Sequence, residues 1–322
     1  MLAFIVRRRL QSIAVLLAVG FIAFSMFQFA GDPVNNMVGP DASAETRAVL
    51  RERLGLDQPF PIQFVRFIGN MLQGEFGVSY RLGMKVDQIL VQRVPATLEL
   101  VLIAALLALS IGVPLGVYTG LHRHGALSRV MLTVSLIGIS LPTFLIGILL
   151  ILIFAVWLGW LPSFGRGKVV ALGWWTTGLT SWDGFRALIL PAITLSLFQM
   201  TLIMRLVRSE MLEVLRTDYI KFARARGLSN RAIHFGHALK NTLVPVITIA
   251  GLQLGSVVAF AIVTETVFQW PGMGLLFVQS VGVADIPVMS AYLQLVAVLF
   301  VTINLIVDLL YYLVDPRLRA AR

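Results

Sequence analysis

Cysteine is absent from all 322 residues, which excludes disulfides and thiolate metal sites but says little about compartment. Charge is also scarce: 13% of residues are Asp, Glu, Lys or Arg, where soluble domains carry about 25%. Catalytic signatures are missing as well. The nearest approach to a phosphate-binding G-x-x-x-x-G-K-[ST] loop is Gly165-Arg166-Gly167-Lys168-Val169, which lacks the first glycine and the final hydroxyl. The four histidines, His122, His124, His234 and His237, fall in loops between apolar stretches. The His122/His124 pair reads as loop polarity beside Arg123 rather than as a metal site. No catalytic centre is visible, and neither a metal nor a cofactor is expected in this chain.

What the chain has in abundance is apolar length. Hydrophobic residues make up 58%, and six stretches reach the roughly 20 residues that cross a bilayer core. They lie near residues 10–30, 96–120, 130–157, 187–204, 243–264 and 288–314. Runs this long satisfy their backbone in lipid only as helices. The expected fold is an all-α polytopic membrane protein with six transmembrane helices. The basic N-terminus resembles a signal peptide, but its apolar stretch is too long and Gln28-Phe29-Ala30 is a poor cleavage site, so a retained first helix is expected.

Lys and Arg set the orientation. With both termini inside, sixteen basic residues face the cytoplasm, including Arg7, Arg8, Arg9, Arg123, Arg129, Arg317, Arg319 and Arg322. The short outer loops hold only Arg166, Lys168 and Arg186. The long first outer loop carries seven basic and seven acidic residues and lies beyond the reach of the positive-inside rule. This asymmetry accounts for the net charge of +10 without a nucleic-acid partner. The expected organisation is a first helix within residues 1–30, an outer cap at 31–95, and a five-helix core at 96–322. In the cap, Asp41 or Ser43 starts a short helix ending at Gly55, and residues 62–72 form a second, amphipathic one.

Charges within the spans are few. Glu99 follows Pro95-Ala96-Thr97 and reads as favourable charge in the first turn of the second span. Asp308, near Asn304, Tyr311 and Tyr312, reads as hydrogen-bonded within the bundle. An ion-coupled carrier would need more intramembrane acids. Gly112, Gly116 and Gly120, and the pair Gly251/Gly255, repeat at helical spacing and predict close helix packing. Pro114, Pro142 and Pro191 are expected to kink their spans or mark their ends.

The most informative segment is residues 205–240, with eight Lys or Arg against Glu210, Glu213 and Asp218. Span four continues helically to Arg216, Thr217 or Asp218 caps a short helix, and Gly227 ends it in a left-handed conformation. Ser229 or Asn230 then starts the helix leading into span five. Lys221, Arg224 and Arg226, with small Ala223 and Ala225, suit docking in a groove. The same residues suit a surface helix on anionic lipid, and composition alone leaves the two readings even.

The run DYIKFARARGLSNRAIHFGHALKNTLVPV resembles the EAA loop of permease subunits in bacterial ABC importers of the dipeptide/oligopeptide/nickel group. Other strings agree in order along the chain: Gly31-Asp32-Pro33, Leu54-Gly55-Leu56-Asp57-Gln58-Pro59, Gly74-Glu75-Phe76-Gly77-Val78-Ser79-Tyr80, and Pro95-Ala96-Thr97-Leu98-Glu99-Leu100. Glu265-Thr266-Val267-Phe268-Gln269-Trp270-Pro271-Gly272-Met273-Gly274 and the closing Asp315-Pro316-Arg317 complete the set, which resembles the B-type partner. Lys221-Phe222 and Leu239-Lys240 depart from the general Glu-Ala and Leu-Pro of that loop, as the peptide branch commonly does.

The resemblance implies a type I ABC importer permease in a bacterial inner membrane, pairing with a second homologous permease, two cytoplasmic ATPases carrying ATP and Mg, and a periplasmic substrate-binding protein. It implies an ATPase-coupling helix at Asp218, Tyr219, Lys221, Ala223, Arg224, Ala225, Arg226, Gly227, Leu228 and Ser229. It implies an outer-mouth segment at Glu265, Phe268, Trp270, Pro271, Gly272 and Gly274, with Glu99 and Asp308 as intramembrane polar groups. The solute is expected to be a di- or oligopeptide, with glutathione, nickel chelates and opines as alternatives. The competing classes are an ion-coupled secondary transporter and a non-transporting membrane subunit.

Overall fold

The computed structural model describes residues 2–29, 34, 43–54 and 57–314. The expectations at Gly31-Asp32-Pro33, at Asp41, Gly55 and Leu56, and at Asp315-Pro316-Arg317 lie outside the described residues, as do the side chains of Tyr311 and Tyr312.

The described chain is almost entirely helical. In order it forms α1 (Leu2–Phe29), α2 (Ala44–Leu54), α3 (Phe60–Leu72), α4 (Val86–Leu121), α5 (Ala126–Ser140) and α6 (Thr143–Leu150), which continues as a widened π-type segment, Ile151–Trp157. A hairpin of β1 (Val170–Leu172) and β2 (Trp175–Thr177) follows. Then come α7 (Trp182–Val214), α8 (Asp218–Ala225), a second π-type segment (Ala232–Ala238), α9 (Leu239–Val267), α10 (Met273–Val281) and α11 (Ile286–Val314). Among the described residues four helices are long and apolar enough to cross a membrane: α1, α4, α7 and α11. Two bent pairs complete six spans if each counts as one: Ala126–Ser140 with Thr143–Trp157, and Ala232–Gly251 with Gly255–Val267.

The breaks have local causes. Pro142 caps α6 with φ −57° and ψ 139°, an extended conformation that cannot continue α5. This proline therefore ends a helix, whereas Pro191 stays inside α7 and Pro245 inside α9. The bend in α9 falls between Gly251 and Gly255, where two residues without side chains weaken the helix.

Two compact units divide the chain, and α4 and α11 contribute to both. The first holds residues 1–96, 171–176 and 271–301. In it Phe21 and Phe24 of α1 meet Phe60 and Phe64 of α3 edge-on or tilted, with ring centroids 4.9–6.1 Å apart. Such pairs contribute beyond the area they bury. The stretch 77–86 folds back on itself through Val86 N–H to Gly77 O and a bridge between Val78 and Lys85. Asp285, almost wholly buried, holds that turn: it accepts from the Ser79 hydroxyl and from the backbone N–H groups of Tyr80 and Arg81.

The second unit holds residues 97–170, 177–270 and 302–322. Its core joins Ala108 and Val117 of α4, Ile203, Val207 and Met211 of α7, and Val246 and Ala250 of α9. The glycine ladder of α4 lies against α7: a Cβ at Gly112 would stand 2.9 Å from the Met200 carbonyl oxygen, and one at Gly116 2.6 Å from the Val207 Cβ. Gly251 lies as tightly against Val307, where a Cβ would come within 2.3 Å. Both glycine motifs therefore serve packing within the chain.

Candidate functional site

The basic segment folds as three helical pieces. α7 extends through Val214, α8 covers Asp218–Ala225, and Ser229 accepts from the Ala232 N–H at the start of the next segment. Thr217 occupies the position before α8, but its hydroxyl donates back to Val214 O at 2.6 Å instead of capping the new helix. Gly227 ends the turn at φ +77°, the left-handed conformation the sequence predicts.

α8 has two unlike faces. Ile220 and Ala223, three residues apart and so on one side of the helix, are buried in the core cluster together with Val207, Met211, Ile233 and Ala238. Asp218, Tyr219, Lys221, Phe222, Arg224, Ala225, Arg226, Gly227, Leu228 and Ser229 are exposed. Ala223 therefore faces the chain's own core, and the small-residue surface reduces to Ala225 and Gly227. Phe222, noted in the sequence only as a departure from the loop's Glu-Ala and not as a coupling residue, is 64% exposed, with the Arg226 guanidinium 5.8 Å from its ring centroid. Its signal was present: a large apolar residue out of register with the buried Ile220/Ala223 pair. Tyr219 ties the helix to the segment before α9, since its hydroxyl donates to His237 O at 3.0 Å and accepts from the Asn241 side chain. Lys221 and Asp218 form an exposed ion pair at 2.8 Å, of a kind that adds little stability.

At the other candidate segment, Glu265 is fully buried and accepts from the Thr97 hydroxyl at 2.6 Å. Phe268 and Trp270 are buried, Gly272 and Gly274 are buried, and Pro271 is half-buried. The chain turns here through Gln269 at φ +47°, with Trp270 N–H bonded to Glu265 O.

Glu99 departs from its expected place. α4 starts at Val86 and runs through Pro95, so Glu99 sits well inside the helix and not in its first turn. Proline removes one helical hydrogen bond, a loss that membrane helices tolerate. The Glu99 charge is met instead by Arg166, whose Nε donates to Oε2 at 3.1 Å and whose terminal nitrogen forms a closer ion pair. The Thr177 hydroxyl at 2.6 Å and the Gly178 N–H at 3.0 Å complete the carboxylate's partners. Arg166 also lies 5.8 Å from the Trp270 ring centroid. The loop bearing Arg166 is thus fastened to α4 and to the end of α9, where Gly165 N–H bonds Phe268 O. Asp308 is half-buried on α11. Among the described residues no group of three or more His, Asp or Glu is placed to hold a metal.

The second unit is thus a mostly apolar set of packed helices with the short basic α8 rooted in its core. Residues 112–320 match the family described as binding-protein-dependent transport system inner membrane component, and residues 1–101 match the N-terminal part of such membrane components. The chain belongs to that family and is a multi-pass inner-membrane protein. It is 40% identical to the oligopeptide transport system permease protein AppB of Bacillus subtilis, over 99% of both chains. It is equally similar, at 40%, to the di/tripeptide transport system permease protein DppB of Pseudomonas aeruginosa, over 100% of both. A chain of the inward-facing MetNI methionine ABC transporter shares its fold at a TM-score of 0.56 and 22% identity, covering 71% of this chain and 97% of that one.

Proposed function

We propose that this permease serves an ATP-driven importer of di- and oligopeptides, forms half of its translocation path, and receives the work of ATP hydrolysis through α8. ATP and Mg belong to two cytoplasmic ATPase subunits, a second homologous permease completes the path, and a periplasmic binding protein delivers the peptide. The peptide class is supported by the oligopeptide and di/tripeptide permeases to which the chain is similar.

The observation that carries the coupling reading is the division of α8. Ile220 and Ala223 join the core built from α4, α7 and α9, while Tyr219, Phe222 and Leu228 stand exposed among Lys221, Arg224 and Arg226. A partner that presses on the exposed face moves a helix packed into the core of the spans. Because such cores are not freely deformable, each ATPase state favours one arrangement of the bundle.

Phe222→Asp and Ala225→Asp test the assignment, since both positions are exposed and neither supports the core. The expected result is loss of ATPase subunits from the purified complex, or hydrolysis uncoupled from uptake, with binding-protein docking retained. Full transport by both variants, together with loss of the dependence of uptake on anionic lipid on replacing Lys221, Arg224 and Arg226 by Gln, would establish the lipid reading instead.

A further inference from the structure

The break in the third span borders a cavity of about 420 Å³ in the second unit. Ser140, Pro142 and Thr143 line it at the break, joined by Phe198 and Gln199 of α7 and Phe260 of α9. Irregular backbone at membrane depth persists only where it is buried in protein or lines a cavity, and in transporters broken helices commonly frame solute sites. The size falls within the range of about 300–1,000 Å³ typical of small-ligand sites.

Gln199 gives the cavity its chemistry. The residue is 4% exposed, and its Nε2 is spent on Gln253 O at 3.3 Å and the Ser256 hydroxyl at 3.0 Å. Its Oε1 is buried and has no hydrogen-bond partner among the described residues. A buried acceptor left unpaired is costly, so the site favours an occupant that brings a donor. Among the described residues no charged one lines the cavity, which disfavours a peptide terminus or an ionised side chain. The Phe198 and Phe260 rings, tilted with centroids 6.1 Å apart, offer an apolar surface. A lipid acyl chain would match those rings but has no donor for Gln199.

We infer that this cavity is a peptide subsite on the translocation path, where a mid-chain backbone N–H donates to Gln199 Oε1 and an uncharged side chain lies against Phe198 and Phe260. The inference rests on the peptide-importer reading above. It assigns Gln199 a role in passage, distinct from recognition by the external binding protein and from the coupling at α8.

The test uses the complete importer with its binding protein in proteoliposomes, with radiolabelled alanine tripeptide as probe. Gln199→Met removes the acceptor at nearly constant length. Its maximal uptake rate is expected to fall about fivefold to tenfold, the order expected for one lost hydrogen bond. Peptide affinity of the binding protein, and its stimulation of ATP hydrolysis, should stay unchanged. Wild-type uptake by Gln199→Met overturns the subsite and leaves the importer reading standing. Absence of ATP-driven tripeptide uptake by the unmodified complex overturns the importer reading itself. Ser140→Cys supplies a measurement independent of Gln199, because Ser140 is exposed and the chain has no other cysteine. During turnover, excess tripeptide should slow its modification by N-ethylmaleimide at least severalfold. A rate indifferent to peptide, or a cysteine reactive in the isolated chain and silent in the assembled importer, contradicts the subsite. The silent case would identify the cavity as a contact with the second permease.

Discussion

Glu99 and Arg166 show what a buried charge requires of its neighbours. Their side chains are 2% and 6% exposed, and the carboxylate is surrounded by the guanidinium, a hydroxyl and a backbone N–H. Removing only the cation leaves an uncompensated buried carboxylate, a loss of about 3–5 kcal/mol by comparison with other buried pairs. Arg166→Ala should therefore lower yield and melting temperature in detergent sharply. Arg166→Ala combined with Glu99→Leu should recover much of that loss, since no charge then stays behind. A double variant no more stable than the single one, in a fluorescence melting assay, would show that the pair is not the controlling interaction. The sequence marked Glu99 as unusual, because an acid in an apolar run needs a reason. It did not mark the partner: Arg166 is 67 positions away, in a loop where it read as surface charge. Asp285 was missed for a similar reason. Its partners are the Ser79 hydroxyl and the backbone N–H groups of Tyr80 and Arg81, and hydrogen bonds across 204 to 206 positions leave no local pattern in the sequence.

Among the elements, what the sequence revealed depended on how local the cause was. The long apolar helices, the exit of α7 into the basic segment and the Gly227 stop follow from hydropathy and single-residue preference. The ladder Gly112, Gly116, Gly120 announced a close approach, but only packing identifies α7 as the neighbour. Likewise Pro142 announced a break without its angle, and Ala223 announced smallness without showing which side it serves. The α4–α7 contact yields a direct prediction. A side chain at Gly116 must displace the Val207 Cβ and the Met204 carbonyl oxygen, 2.6 and 2.7 Å from where its Cβ would stand. Gly116→Leu should therefore destabilise the second unit by about 1–3 kcal/mol or more, as overpacked cores do. Gly236→Leu, at a helical glycine with nothing within 4 Å, should be tolerated. Equal melting temperatures for the two variants would contradict the packing described for α4 and α7.

The distribution of charge over the whole molecule sets its orientation. The asymmetry of Lys and Arg predicts that both termini and the loop around His122–Arg129 face the cytoplasm and that the turn after α10 faces the outer side. The cysteine-free background allows a clean test with single exposed cysteines. An impermeant maleimide should label Gly282→Cys in intact spheroplasts and label His124→Cys only after lysis, both positions being exposed. The opposite pattern would place α8 outside, away from any ATPase. In the proposed function, a non-catalytic helix bundle moves peptide with energy delivered by its partners. The measurement that tests it most directly is peptide uptake by the reconstituted importer in proteoliposomes, with ATP and the ion gradient varied independently. Uptake should require ATP in the compartment facing α8 and should be indifferent to an uncoupler. Uptake driven by a proton or sodium gradient without ATP would contradict it.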